Sequence, residues 1–160
     1  PAGRLSIDAA VPSAVIADTA IIVQAPFRLL ASGCADVISN VTAILDWRLA
    51  VRLRHEEYSS TAATLAEYAA HEIIDRAGLI KPNLEESVWI AIRPMIVAGI
   101  AMSVAGSSRP CSGSEHLFSH ALDRTAKHAG LHGEQCGMGA IMMMYLHGGD
   151  WQGLQRTLRT

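Results

Sequence analysis

The chain has 160 residues with 13 basic and 15 acidic side chains, a formal net charge of −2, half of its residues hydrophobic and 18% charged. That length suits one hydrophobic core rather than two, the apolar share excludes a disordered chain, and the lack of a basic run argues against a nucleic-acid partner. Aromatic residues make up only 5% while Ala, Ile, Leu and Met are abundant, which favours close-packed helices over a β-sandwich.

In chain order, the sequence opens at Pro1 without a basic-then-apolar leader, so no targeting signal is read there, and the start looks cut from something longer. Residues 13–18, Ser-Ala-Val-Ile-Ala-Asp, read as a short buried strand entering a turn, or as irregular chain for want of a pairing partner. From Pro26 the pattern becomes helical, with a break expected at Ser32-Gly33. Helices are predicted over 36–54, 60–77, 84–105, 114–127, 132–146 and 151–158. Ser60 is the expected N-cap of the second, and Asn83 with Glu86 three residues on reads as a capping box for the third. Pro94 should kink that third helix.

The most apolar stretch, 88–106, contains Arg93 and Pro94, which leave about a dozen uninterrupted apolar positions, so a core helix is expected and a membrane span is not. Cys34, Cys111 and Cys136 are odd in number and irregularly spaced, which fits a reducing cytoplasm better than a disulfide framework. Between the third and fourth helices lies a Gly- and Ser-rich loop carrying Arg109, whose backbone donors and guanidinium suit a phosphate or carboxylate as well as a plain connector.

Chemistry concentrates where His116, His120, His128 and His132 fall within seventeen residues. His116 and His120 are four apart on a predicted helix and therefore share a face, and a helical hairpin can return His132 towards them. Two histidines need a third donor to hold zinc, and Asp36, a carboxyl in an apolar setting, is the candidate. Satisfied surface histidines and a simple N-cap role for Asp36 explain the same spacing. Glu134 reads as a first-turn acid favoured by the helix dipole, and Met142, Met143 and Met144, pointing three ways around a helix, read as packing.

The segments Ala31-Ser-Gly-Cys-Ala-Asp36-Val-Ile-Ser-Asn40, Gly106-Ser-Ser-Arg-Pro, Gly113-Ser-Glu-His116-Leu-Phe-Ser-His120-Ala-Leu and His132-Gly-Glu-Gln-Cys-Gly137, in this order, resemble the glycerol-1-phosphate dehydrogenase family of the iron-type alcohol dehydrogenase and dehydroquinate synthase superfamily. The resemblance implies an all-α, helical metal- and substrate-binding domain over 25–160, with residues 1–24 the strand-bearing remnant of a nucleotide-binding α/β domain otherwise absent, since no Gly-x-Gly-x-x-Gly precedes Asp36. It implies zinc held by Asp36, His116 and His132 as the catalytic centre, substrate met by Asp36 and His120, and NAD(H) or NADP(H) bound mainly by the upstream domain. The reaction implied is reversible reduction of dihydroxyacetone phosphate to sn-glycerol 1-phosphate, for archaeal-type ether phospholipids, by a cytoplasmic homo-oligomer. Arg109 is the expected phosphate contact. A glycerol dehydrogenase, a 3-dehydroquinate synthase-like enzyme and a non-catalytic zinc-binding helical module are the alternatives.

Overall fold

A computed structural model of the protein describes residues 11–127 and 130–160. Among the described residues there is no β-strand, and helices follow one another along the chain. They are α1 (Thr19–Ile22), α2 (Phe27–Ile38), α3 (Asn40–Arg54), α4 (Ser60–Ile74), α5 (Glu85–Ala105), α6 (Ser114–Thr125), α7 (His132–Leu146) and α8 (Trp151–Leu158), with a 3-10 turn at Ala77–Leu79. The helices that composition favours, and the all-α domain that the resemblance implies, are present. The strand expected at 13–18 is not. Those residues are irregular and mostly exposed, Ile16 almost fully so at 95%, because no neighbouring strand offers the backbone partners that a strand requires.

The break expected at Ser32-Gly33 is absent too, and α2 runs straight through it. Gly33 sits inside the helix, where a Cβ would meet Met95 Cε on α5 at 2.6 Å, the movable end of a flexible side chain. The interruption comes later, at Ser39, which keeps helical dihedral angles (φ −63°, ψ −16°) and donates its hydroxyl to Asp36 O at 2.7 Å. The predicted 36–54 helix is therefore two helices in near continuity. Asp36 lies in the last turn of α2, and its N-cap role is ruled out.

Two other caps differ from expectation. Ser59 rather than Ser60 caps α4, accepting from Ala62 N at 3.2 Å. Asn83 adopts φ 57°, in the left-handed region, which turns the chain into α5 and leaves Leu84 in the cap position without a side-chain bond. Lys81 N donates instead to Ser87 Oγ at 2.8 Å, and Thr19 Oγ1 donates to Glu85, tying α1 to the start of α5.

Alanines set the packing distance in the centre. Ala62, Ala63, Ala66, Ala69 and Ala70 of α4 are all buried, opposite Ala91, Ala98 and Ala101 of α5, so the two backbones approach closely. Ile38, Ile73, Ala140 and Leu154 belong to one core cluster, and Ile44, Trp47, Ala66 and Ala101 to another. By length and composition α5 and the 27–54 run could each cross a bilayer. Here each buries a face against neighbouring helices, with Val88, Ala91 and Ala101 inside on one and Ala43, Ile44 and Trp47 inside on the other. α5 continues through Pro94 as a single element. Of the three consecutive methionines, Met144 packs against the core while Met142 is exposed.

Helix α7 lies across α2 and α6. Its start meets α2 without room for a side chain, because a Cβ on Gly133 would fall 1.8 Å from the carbonyl oxygen of Ser32, one turn before Asp36. Arg28 on α2 also grips Glu134 on α7, Nε to Oε1 at 2.5 Å and Nη2 to Oε2 at 2.7 Å, while Glu134 accepts from Leu131 N at 3.0 Å. The Arg28 guanidinium, helped by the Leu131 amide, holds the Glu134 carboxyl at about 2, below its ordinary 4.5.

Two outcomes are expected. Gly133→Ala should destabilise the fold by about 1–3 kcal/mol in urea titration, as an overpacked contact against backbone that cannot yield. A carboxyl with a depressed pKa adds stability that is present above its unfolded value and lost as pH falls through the folded one. Between pH 4.5 and about 2 the wild type should therefore lose more stability than Glu134→Gln, read from melting curves across that range.

Candidate metal centre

Three helix ends converge. The last turn of α2 supplies Asp36, the first turn of α6 His116, and the first turn of α7 His132, with Cys136 one turn further along α7. Each offers one ligand atom, and these atoms all lie within 4.8 Å of one another. Asp36 Oδ1 is 3.5 Å from His116 Nε2 and 3.8 Å from His132 Nε2, and Cys136 Sγ is 3.6 Å from His132 Nε2. Bond lengths of about 2.0–2.1 Å to nitrogen and about 2.3 Å to sulfur imply donor separations of roughly 3.3–3.6 Å around tetrahedral zinc. These spacings sit close to that.

Asp36 Oδ1 is buried and, among the described residues, has no hydrogen-bond partner. A buried oxygen left unmet costs about 1–3 kcal/mol, more if charged, and the groups nearest to it are nitrogen and sulfur donors that would crowd the same cation. The residues therefore fit a divalent ion of borderline softness, for which a mixed N, O and S donor set is suited.

The outer partners fix which imidazole nitrogen faces inwards. Gln135 Nε2 donates to Asp123 Oδ1 at 3.1 Å and to Gly130 O at 3.3 Å, so its Oε1 is the acceptor for Ser119 Oγ at 2.6 Å. With its one proton committed, Ser119 can only accept from His132 Nδ1, 2.8 Å away. That places the proton on Nδ1 and the lone pair on Nε2, beside Asp36 and Cys136. His116 is set the same way, with Nδ1 3.0 Å from Glu115 Oε1. Glu115 is fully buried, and it also accepts from Gly113 N at 2.6 Å and from Thr42 Oγ1 at 3.1 Å. Asp46 completes the support by accepting from Ser114 N at 2.6 Å and holding His147 Nε2 at 2.7 Å, which joins α3, α6 and the end of α7.

Of the residues singled out by sequence, Asp36, His116 and His132 come together. His120 stands apart from the donor set, exposed, with its ring stacked 6.1 Å from that of His132 at 22°. His128 lies outside the described residues. Arg109 is not near this group as a free cation. Its guanidinium is bound to Glu56 at 2.5 and 2.6 Å, bordering a cavity with Trp47 and Tyr58. Sequence reasoning missed Cys136, although four-residue spacing from His132 on a helix was the available signal. It also missed Glu115 and Ser119, for which no sequence signal exists.

Burial pushes the thiols of Cys34 and Cys111 up to about 12, Asp36 and Glu115 adding to the effect at Cys111. At Cys136 burial, followed by the nearby Asp36 carboxyl, raises it further. No disulfide joins these three cysteines.

No family model matches the chain. Among curated proteins it is 61% identical over 156 residues to the glycerol-1-phosphate dehydrogenase (NAD(P)+) of Methanothermobacter thermautotrophicus, 98% of this chain and 45% of that protein. It is 56% identical over 154 residues to the same-named protein of Picrophilus torridus, 96% of this chain and 44% of the relative, and 58% identical over 154 residues to that of Methanococcoides burtonii, 96% and 43%. The chain thus spans less than half the length of these relatives.

Metal analysis after dialysis against zinc should find one ion per chain, lost in His116→Ala and in His132→Ala; full retention in both would reject the site. Ser119→Ala should keep the ion but weaken its binding about 10–100-fold, as loss of an orienting partner does.

Proposed function

We propose, for a chain that resembles glycerol-1-phosphate dehydrogenases along nearly its whole length, that it is the metal- and substrate-binding part of an enzyme that reversibly reduces dihydroxyacetone phosphate to sn-glycerol 1-phosphate with NADH or NADPH. The observation that carries this reading is the unpartnered Asp36 Oδ1 facing the Nε2 atoms of His116 and His132. In this reading residues 25–160 are the helical domain and residues 1–24 the end of a nucleotide-binding domain. That domain belongs to the region of the relatives that the chain does not span.

Asp36, His116 and His132 would hold zinc. When bound there, zinc supplies Lewis acidity, polarising the ketone oxygen and stabilising the negative charge that develops on it as the nicotinamide delivers hydride. The protein's own residues do the rest. Glu115 and Ser119 hold both imidazoles by Nδ1, which leaves Nε2 of each towards the other donors. Asp36 is partly open to solvent, its side chain 39% exposed, which leaves a side from which a small phosphorylated ketone can approach. His120, exposed on α6 one turn from His116, is placed to orient the substrate and to relay a proton to the developing alcohol oxygen. We assign the product to archaeal-type ether phospholipid synthesis, the enzyme to a homo-oligomer, and the compartment to the cytoplasm, the last on the three free thiols.

The test is turnover in a protein that also carries the region of the relatives outside the match. Dihydroxyacetone phosphate should be reduced with NADH or NADPH. Asp36→Asn should lower kcat/KM by at least about 100-fold, and His120→Ala by about 100-fold with zinc content unchanged. Bound zinc with no turnover in the wild type would overturn the reading in favour of a non-catalytic zinc-binding module.

A further inference from the structure

The donor set contains one group that the proposed function does not use. Cys136 follows His132 by four residues on α7, so both side chains leave the same face of the helix one turn apart. Its side chain is fully buried, and Sγ lies beside the His132 ring, 3.6 Å from Nε2 and 3.8 Å from Nδ1, so a turn about its side-chain bond brings it to an ion held on the Nε2 lone pair that the Nδ1–H to Ser119 hydrogen bond leaves free. Sγ also falls within 4.8 Å of the ligating atoms of Asp36 and His116. A buried cysteine packed for its volume alone would face carbon. This one faces two imidazoles and an unpartnered carboxyl oxygen.

We propose that Cys136 is a fourth metal ligand, closing a Cys, His, His, Asp sphere around the divalent ion whenever no substrate oxygen occupies it. The inference rests on the reading of Asp36, His116 and His132 as ligands. Its chemistry balances without a redox partner. The S–H bond breaks heterolytically, sulfur keeps the electron pair and forms the bond to the ion, and the proton leaves to water across the half-open side of Asp36. Three donors alone make a site with an open position, whereas a thiolate as the fourth makes a closed, tighter one, and zinc can still expand to five-coordination when a carbonyl arrives. Sulfur also sets the choice of ion, because thiolate favours zinc and disfavours magnesium, calcium and manganese, which prefer oxygen.

The experiment is to load the full chain with Co2+ alone and record its absorption spectrum. Wild type should bind one cobalt and show a thiolate-to-cobalt charge-transfer band in the near ultraviolet. Cys136→Ser should lose that band while keeping bound cobalt and its visible d–d bands, and its zinc dissociation constant should rise about tenfold or more. Cys34→Ser and Cys111→Ser should retain the band. Cys136→Ala, in which no polar atom is left buried, gives the same readout if the serine variant does not fold. One cobalt bound without the band, or a band that survives in the Cys136 variants, overturns the fourth ligand alone. No cobalt bound, or equal binding in His116→Ala, overturns the three-ligand reading and this inference together.

Discussion

Everything in this molecule turns on a carboxyl oxygen that the protein itself leaves unsatisfied. Asp36 Oδ1 is buried, has no hydrogen-bond donor among the described residues, and lies 3.5 and 3.8 Å from the Nε2 atoms of His116 and His132. Such an arrangement raises the energy of the fold unless a positive charge joins it. The surrounding structure shows how much is invested in keeping it. Glu115, Ser119 and Gln135 are all buried polar residues, and each is given partners that hold the ligating atoms in their orientation.

Small residues are the means of assembly. The candidate donors come from α2, α6 and α7, and the first and last of these approach so closely at Ser32 and Gly133 that any side chain would collide. Gly139 meets Glu115 on α6 in the same way, with its absent Cβ placed 2.9 Å from the Glu115 Cα. Backbones held at contact distance leave ligand positions little freedom, which is the precision that a metal site demands. Alanines serve the same end between α4 and α5, deeper in the fold.

The architecture and three of the four clustered donors are legible in the sequence, for different reasons. Helical periodicity places α7 and α8 with their observed ends, and the histidine cluster announces the site. Asp36 stands out by its oddity in an apolar stretch, yet it reads as a helix start because glycine at 33 signals a break locally, whereas in the fold α2 runs through it. Asn83 misleads in the same manner, since its left-handed backbone serves the turn and not the cap. Arg109 reads as a lone cation, and its ion pair with Glu56, more than fifty residues away in sequence, is visible only in the fold. Cys136 has only its four-residue spacing from His132 to mark it, a weak signal for a single cysteine in an apolar helix, and the fold shows what lies beside it.

The separation of the ligands along the chain has a thermodynamic consequence. Asp36 and His116 are about 80 residues apart, so an ion bridging these candidate donors would act as a removable cross-link that closes half of the chain into a loop. Since an unfolded chain cannot present these atoms together, occupancy at a thousand times the dissociation constant adds about 4 kcal/mol of stability. Heat resistance of this helical assembly would then be set by the free-ion supply of the cell as much as by its hydrophobic core.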